Sequence, residues 1–174
     1  MIRNFLRRLK KAGIVKDIII HDAKWTIRRY ADDQAFKDNM PFSISEIPDN
    51  ILLNEGIGEF LLLLTGGAAT AFSNANSYLG VGDSNTAEAA TQTDLQAATN
   101  KLYKAVSASY PSISNQTATW RAAFGGSEAN FAWNEFTVAN ASSGSGKNLN
   151  RKVSAQGTKT SGQTWTLDLS ITWS

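Results

Sequence analysis

Cysteine is absent from the 174 residues, histidine occurs once and proline three times. Without thiols, neither disulfides nor thiolate metal sites can brace the chain, so stability has to come from packing or assembly. A single imidazole also removes most histidine chemistry. The apolar run at residues 61–64 is far shorter than the roughly 18–20 residues a bilayer span requires. Residues 13–20 are interrupted by Lys16 and Asp17 and lack a small-residue cleavage site after them, so no secretory signal is read there. The expectation is a soluble chain with one domain and an appendage, long enough to bury a core.

What is present is period-two alternation. Trp165, Leu167, Leu169, Ile171 and Trp173 alternate with Thr164, Thr166, Asp168, Ser170 and Thr172, and Ala118, Trp120, Ala122 and Phe124 alternate with Thr117, Thr119 and Arg121. Successive side chains of a strand point to opposite faces, so each segment reads as a half-buried antiparallel strand. Between them, Phe131 and Trp133 share one parity while Phe136 and Val138 share the other. That slip predicts a β-bulge near Asn134 and Glu135. Further strands are predicted over residues 77–82, 101–107 and 148–156, separated by a polar excursion at 83–99 and a Gly/Ser loop at 139–147. Short strands between Gly/Ser/Asn turns predict a mainly β fold, an antiparallel β-sandwich or jelly-roll-like domain. Trp120, Phe131, Trp133, Trp165 and Trp173 are expected to carry it.

The net charge of +2 conceals an asymmetry. Residues 1–29 hold nine basic and two acidic side chains, leaving eight bases against thirteen acids in the remainder. Ile2, Phe5, Leu6 and Leu9 lie at helical spacing among Arg3, Arg7, Arg8, Lys10 and Lys11, a short basic amphipathic helix. Such a helix suits its own acidic body, an acidic protein partner, nucleic acid or a membrane surface. Residues 17–30 read as extended around Trp25, and 31–38 as a helical turn or two. The division expected is a basic N-terminal docking arm at 1–48, a helix at 49–67, capped by Asp49 or Asn50 and buried against the sheet or a neighbouring chain, and the β-domain at 68–174, with arm and helix both serving attachment. Partner docking is assigned to Phe5, Leu6, Arg7, Arg8, Leu9, Trp25, Arg28 and Arg29.

Chemical signals are weak. Gly80-Val81-Gly82-Asp83-Ser84 lacks the Lys-Ser/Thr ending of a phosphate loop and reads as a strand entering a turn. Asp83, Asn85 and Glu88 do not have calcium-loop spacing. His21 beside Asp22 has no serine elbow to serve. Glu128 and Glu135 could form an acid/base pair, but Glu135 is better placed to bind backbone groups, Arg121 or Arg151. Lys147, Arg151, Lys152 and Lys159 could meet a single-stranded nucleic acid, although the nearby tryptophans fall on core-facing parity. No catalytic residue, metal or cofactor is expected.

Three segments, residues 76–84 (NSYLGVGDS), 91–101 (TQTDLQAATNK) and 129–138 (ANFAWNEFTV), together with residues 21–28 (HDAKWTIR), resemble a family of small bacteriophage virion proteins. The resemblance implies a non-enzymatic particle component, assembled in the bacterial cytoplasm and located in the virion on the capsid, neck or tail. Its partners would be other virion proteins and further copies of itself, with no small-molecule substrate and no membrane. Two alternatives stand beside it. One is a receptor- or glycan-binding module using the loops at 83–100 and 139–148; the other is a nucleic-acid-binding protein.

Overall fold

The computed structural model describes residues 21–174. In chain order the elements are β1 (His21–Tyr30), α1 (Asp33–Lys37), β2 (Ser43–Pro48), β3 (Ile51–Leu52), α2 (Asn54–Leu64), β4 (Tyr78–Gly82), β5 (Lys101–Ala105), β6 (Ser112–Ser114), β7 (Thr117–Phe124), β8 (Glu135–Ala139), β9 (Asn150–Val153) and β10 (Thr164–Trp173). The strands form two antiparallel five-stranded sheets, ordered β2-β1-β10-β7-β6 and β3-β9-β8-β4-β5. The mainly β, sandwich-like fold expected from the alternation is what the chain adopts.

β10 is the axis of the first sheet, paired along its whole length with β1 and over eight residues with β7. The register places Trp25, Leu169 and Trp120 in one row and Ile27, Leu167 and Ala122 in the next. These side chains meet Leu79, Val81, Phe136 and Val138 from the second sheet in one apolar core. Trp133 completes it edge-on to Phe124 and Trp165, with ring centroids 4.8 and 5.0 Å away. Trp120, Trp133 and Trp165 are buried, and Phe131 and Trp173 pack on the core's margin.

Residues 21–48 correct the expected division of the chain. They are not an arm beside the domain: β1 and β2 are strands of its first sheet. The sequence HDAKWTIRRY alternates like β10, with Ala23, Trp25 and Ile27 on the core side, but its three basic residues, Lys24, Arg28 and Arg29, obscure that pattern. Arg29 shares the inward parity. Its guanidinium lies 4.6 Å from the Trp165 ring and donates to Ser45 Oγ (2.8 Å) and Gln156 O (2.9 Å), which makes its burial tolerable. Burial also lowers its pKa from the ordinary arginine value.

β8 is buried at every position because both faces of its sheet are covered. The core takes Phe136 and Val138; residues 83–100 lie over the other face, where Gln96 N and Ala97 N donate to the Glu135 carboxylate at 2.8 and 2.7 Å. Alternation fails in such a strand, so the parity slip marks a change of environment. The irregularity in register falls on the opposite strand. Between the pairs Phe136↔Lys152 and Ala139↔Asn148, three steps along β8 face four on its neighbour, and Asn150 Oδ1 takes the Val138 N–H at 3.1 Å. Gly82 is explained by the same covering layer: a Cβ there would overlap the Glu135 carboxylate.

Candidate docking surface

α2 differs from the helix expected at 49–67. Residues 51–52 are the strand β3, so the helix begins only at Asn54, and Leu53 precedes it without a side-chain cap. Its inward face is small and polar. Glu55 Oε1 accepts from Asn148 N at 2.7 Å, and Glu59 Oε1 accepts from Thr70 N at 2.7 Å and Asn140 Nδ2 at 2.9 Å. Between these anchors Gly56 lies directly on β9's approach, where a Cβ would stand 2.5 Å from Leu149 Cα. Residues i, i+1 and i+4 form one face of a helix, and here that face carries the carboxylates and the glycine.

The apolar residues therefore point elsewhere. Ile57, Phe60, Leu61, Leu62, Leu63 and Leu64 are between 38% and 70% exposed. Of the two coverings expected for this helix, the sheet or a neighbouring chain, the sheet does not supply one for these side chains. Phe60 is the exception in orientation, stacking on Trp173 with centroids 5.7 Å apart and planes 9° apart. To one side of this stack is an apolar groove of about 320 Å³ against His21, Leu52 and Leu149, and to the other a groove of about 210 Å³ against Phe72, Trp120 and Ile171. No charged residue occurs from residue 60 to residue 82, so this stretch brings no charge of its own to the surface.

The residues assigned to docking from sequence do not gather here. Trp25 is 0% exposed, 5.8 Å from the Phe136 ring, and has no surface to offer a partner. Arg29 is buried beneath Trp165, and Arg28 is held by Asp168 at 2.6 Å. Phe5, Leu6, Arg7, Arg8 and Leu9 lie outside the described residues. The apolar composition of α2 predicts a buried, attaching helix but not which face turns outward; the inward-facing Glu55, Gly56 and Glu59 are the signal that reveals its orientation.

The weaker chemical signals resolve into structural contacts. Glu135 and Arg151 form a fully buried pair, with Arg151 Nε and Nη2 2.9 and 2.6 Å from Glu135 Oε2. Glu128 instead meets Lys104 at 2.5 Å and Gly125 N at 2.9 Å. Desolvation raises the Glu128 pKa, but these contacts and the charge of Lys159 outweigh it and hold the carboxyl below its usual value. Lys159 is buried, donating to Gly125 O and Asn130 Oδ1, and desolvation lowers its pKa. With Arg151 also buried, the C-terminal basic cluster does not form one surface. His21 packs against Trp173 with rings 5.6 Å apart. Asp83 takes the Asn100 amide at 2.7 Å, and among the described residues no group of acidic or histidine side chains is arranged to hold a metal.

The loops at 83–100 and 139–148 do come together. Asn148 Nδ2 donates to Thr93 O at 2.8 Å, and Asp94 receives Lys101 Nζ at 2.6 Å as well as the Tyr103 hydroxyl. Burial first, and then this hydrogen bond, raise the Tyr103 pKa far above the usual phenol value. The polar groups between these loops are thus largely engaged with one another. Comparison with protein-family models, curated proteins and solved structures finds no match for this chain.

Proposed function

We propose that this chain is an assembling structural subunit, an auxiliary bacteriophage virion protein that docks through α2 onto other particle proteins and further copies of itself. The carrying observation is the inverted polarity of α2, with carboxylates and glycine against its own body and six large apolar residues left substantially exposed. Their exposed area is about 600 Å², the upper end for the largest apolar patch on a monomer and most of the roughly 800 Å² each partner gives a stable interface. A helix apolar on several sides belongs in an interior, and one sandwich supplies only one side of that interior. The sequence likeness to small virion proteins supplies the setting. Nothing in the fold requires a substrate for this role.

The test pairs sedimentation of the purified protein with antibody labelling of phage particles, for wild type and for Leu61→Lys/Leu64→Lys. Both positions face water, so the double variant should fold. Wild type should self-associate and label particles; the variant should sediment as a monomer and be lost from particles. A monomeric wild type, together with undiminished labelling by the variant, would overturn the assignment.

A further inference from the structure

On the opposite side of the first sheet from the core, β1, β10 and β7 carry Arg28, Thr166, Asp168 and Arg121 on neighbouring rows. Asp168 is buried, and both its oxygens are occupied. Oδ1 accepts from Arg121 Nε at 2.8 Å; Oδ2 accepts from Arg28 Nη1 at 2.6 Å and Arg121 Nη2 at 2.5 Å. One carboxylate therefore orients two guanidinium groups and neutralises only one of them. Arg28 Nε and Nη2 and Arg121 Nη1 have no acceptor among the described residues.

These arginines open into a cleft of about 380 Å³, walled by Tyr30, Phe36 and Asn39 on one side and Ser107 on the other. Thr166 lies at its floor, 3% exposed, and its hydroxyl has no hydrogen-bond partner. A buried hydroxyl without a partner is unusual in a folded protein. Asn39 Oδ1 already accepts from the Tyr30 hydroxyl at 3.3 Å, which leaves its amide N–H groups as donors. The acidic residues of and around α1 are engaged away from the cleft. Asp32 caps Ala35 N, Asp33 receives the Thr164 hydroxyl, and Asp38 receives the Gln34 amide.

We propose that this cleft binds a carboxylate-bearing sugar residue. Its one carboxylate is occupied while guanidinium N–H groups of Arg28 and Arg121 remain without acceptors, so the ligand that suits it brings acceptors. Guanidinium forks match the planar geometry of a carboxylate. The partly exposed Phe36 ring offers an apolar face to the ring carbons of a sugar, and the volume lies in the range of small-ligand sites. The site lies on the outer face of the first sheet and uses none of the α2 residues, so it stands independently of the docking role.

The test is titration of the full chain with D-glucuronate, followed by amide chemical shifts and calorimetry, with D-glucose and inorganic phosphate as comparison probes. Glucuronate should shift the amides of Arg28, Asn39, Ser107, Arg121 and Thr166 at millimolar concentration. Glucose and phosphate should each bind at least about tenfold more weakly. Thr166→Val keeps the shape of a site with no internal hydrogen bond to lose, and Phe36→Ala alters only the rim. Both should remain folded and weaken glucuronate binding. No amide shifts, equal binding of glucose or phosphate, or unaltered binding by both variants would each overturn the proposal.

Discussion

Removing the Glu135 carboxylate should release the strap over the second sheet. Glu135 and Arg151 are both fully buried, and Glu135 also receives two consecutive backbone N–H groups, from Gln96 and Ala97. Arg151 in turn reaches Thr86 O and Gln92 Oε1, each at 3.0 Å. Burying such a pair contributes little net stability over an apolar pair of the same size, but breaking it leaves an uncompensated charge, at about 3–5 kcal/mol. Glu135→Ala should therefore destabilise the protein by about that amount, a fall in Tm of roughly 6–20 °C for a chain of this length. Replacing both partners, as Glu135→Leu with Arg151→Met, should cost less than the sum of the single changes, because no charge is stranded. The residual comes from the two orphaned N–H groups, at about 1–3 kcal/mol for each. Urea denaturation of wild type, Glu135→Leu, Arg151→Met and the double variant gives the coupling, and hydrogen exchange gives its location, since Gln96 and Ala97 should lose protection before β7 and β10. The reasoning fails if Glu135→Ala costs under about 1 kcal/mol, or costs as much with Arg151→Met as without it.

The two glycines of α2 should respond oppositely. Gly56→Ala forces a methyl against the Leu149 backbone and should destabilise by about 1–3 kcal/mol, whereas Gly58→Ala meets open space and should stabilise by up to about 1 kcal/mol; denaturation midpoints check both. Glu128 is held below its ordinary pKa in the folded chain, so its contribution is present above the unfolded-state value and is lost as pH falls through the folded one. Glu128→Gln should accordingly lower the melting temperature at neutral pH, with the gap to wild type closing on acidification; a gap constant down to strongly acidic pH would refute the linkage.

The sequence made half-buried strands legible and hid the covered ones. β10 and β7 alternate cleanly because one face meets the core and the other carries Thr, Ser, Asp and Arg. β1 follows the same rule, but Lys24, Arg28 and Arg29 made it look like an arm, since an arginine over a tryptophan is not read as a core residue. β8 lost its alternation to the strap at 83–100, a covering known only once the chain is folded. β3 and β6, of two and three residues, are too short for any period to show. Gly80 and Gly82 read from sequence as a strand entering a turn, yet the side chains they make room for, Thr137 and Glu135, come from more than fifty residues away. The polar face of the first sheet was visible as alternating residues, but which arginine met Asp168 was fixed by register alone.

The orientation of α2 is specified, because three different contacts fix its rotation about its own axis. A half-turn that buried Leu61 and Leu64 would withdraw Glu55 from Asn148 and Glu59 from Thr70 and Asn140. It would also bring a side chain where only Gly56 fits against Leu149. Two stranded backbone N–H groups and a steric overlap oppose that rotation, each at about 1–3 kcal/mol. Water-facing leucines oppose the observed one, because each buried Leu would contribute about 1.5–3 kcal/mol. Two leucines, together about 3–6 kcal/mol, do not outweigh three anchors of about 3–9 kcal/mol, so the observed rotation holds, and a partner over the leucines would satisfy both demands together. Among the described residues the anchors therefore hold in place an apolar surface that the sandwich leaves uncovered, and this conflict is the physical argument behind the proposed assembly.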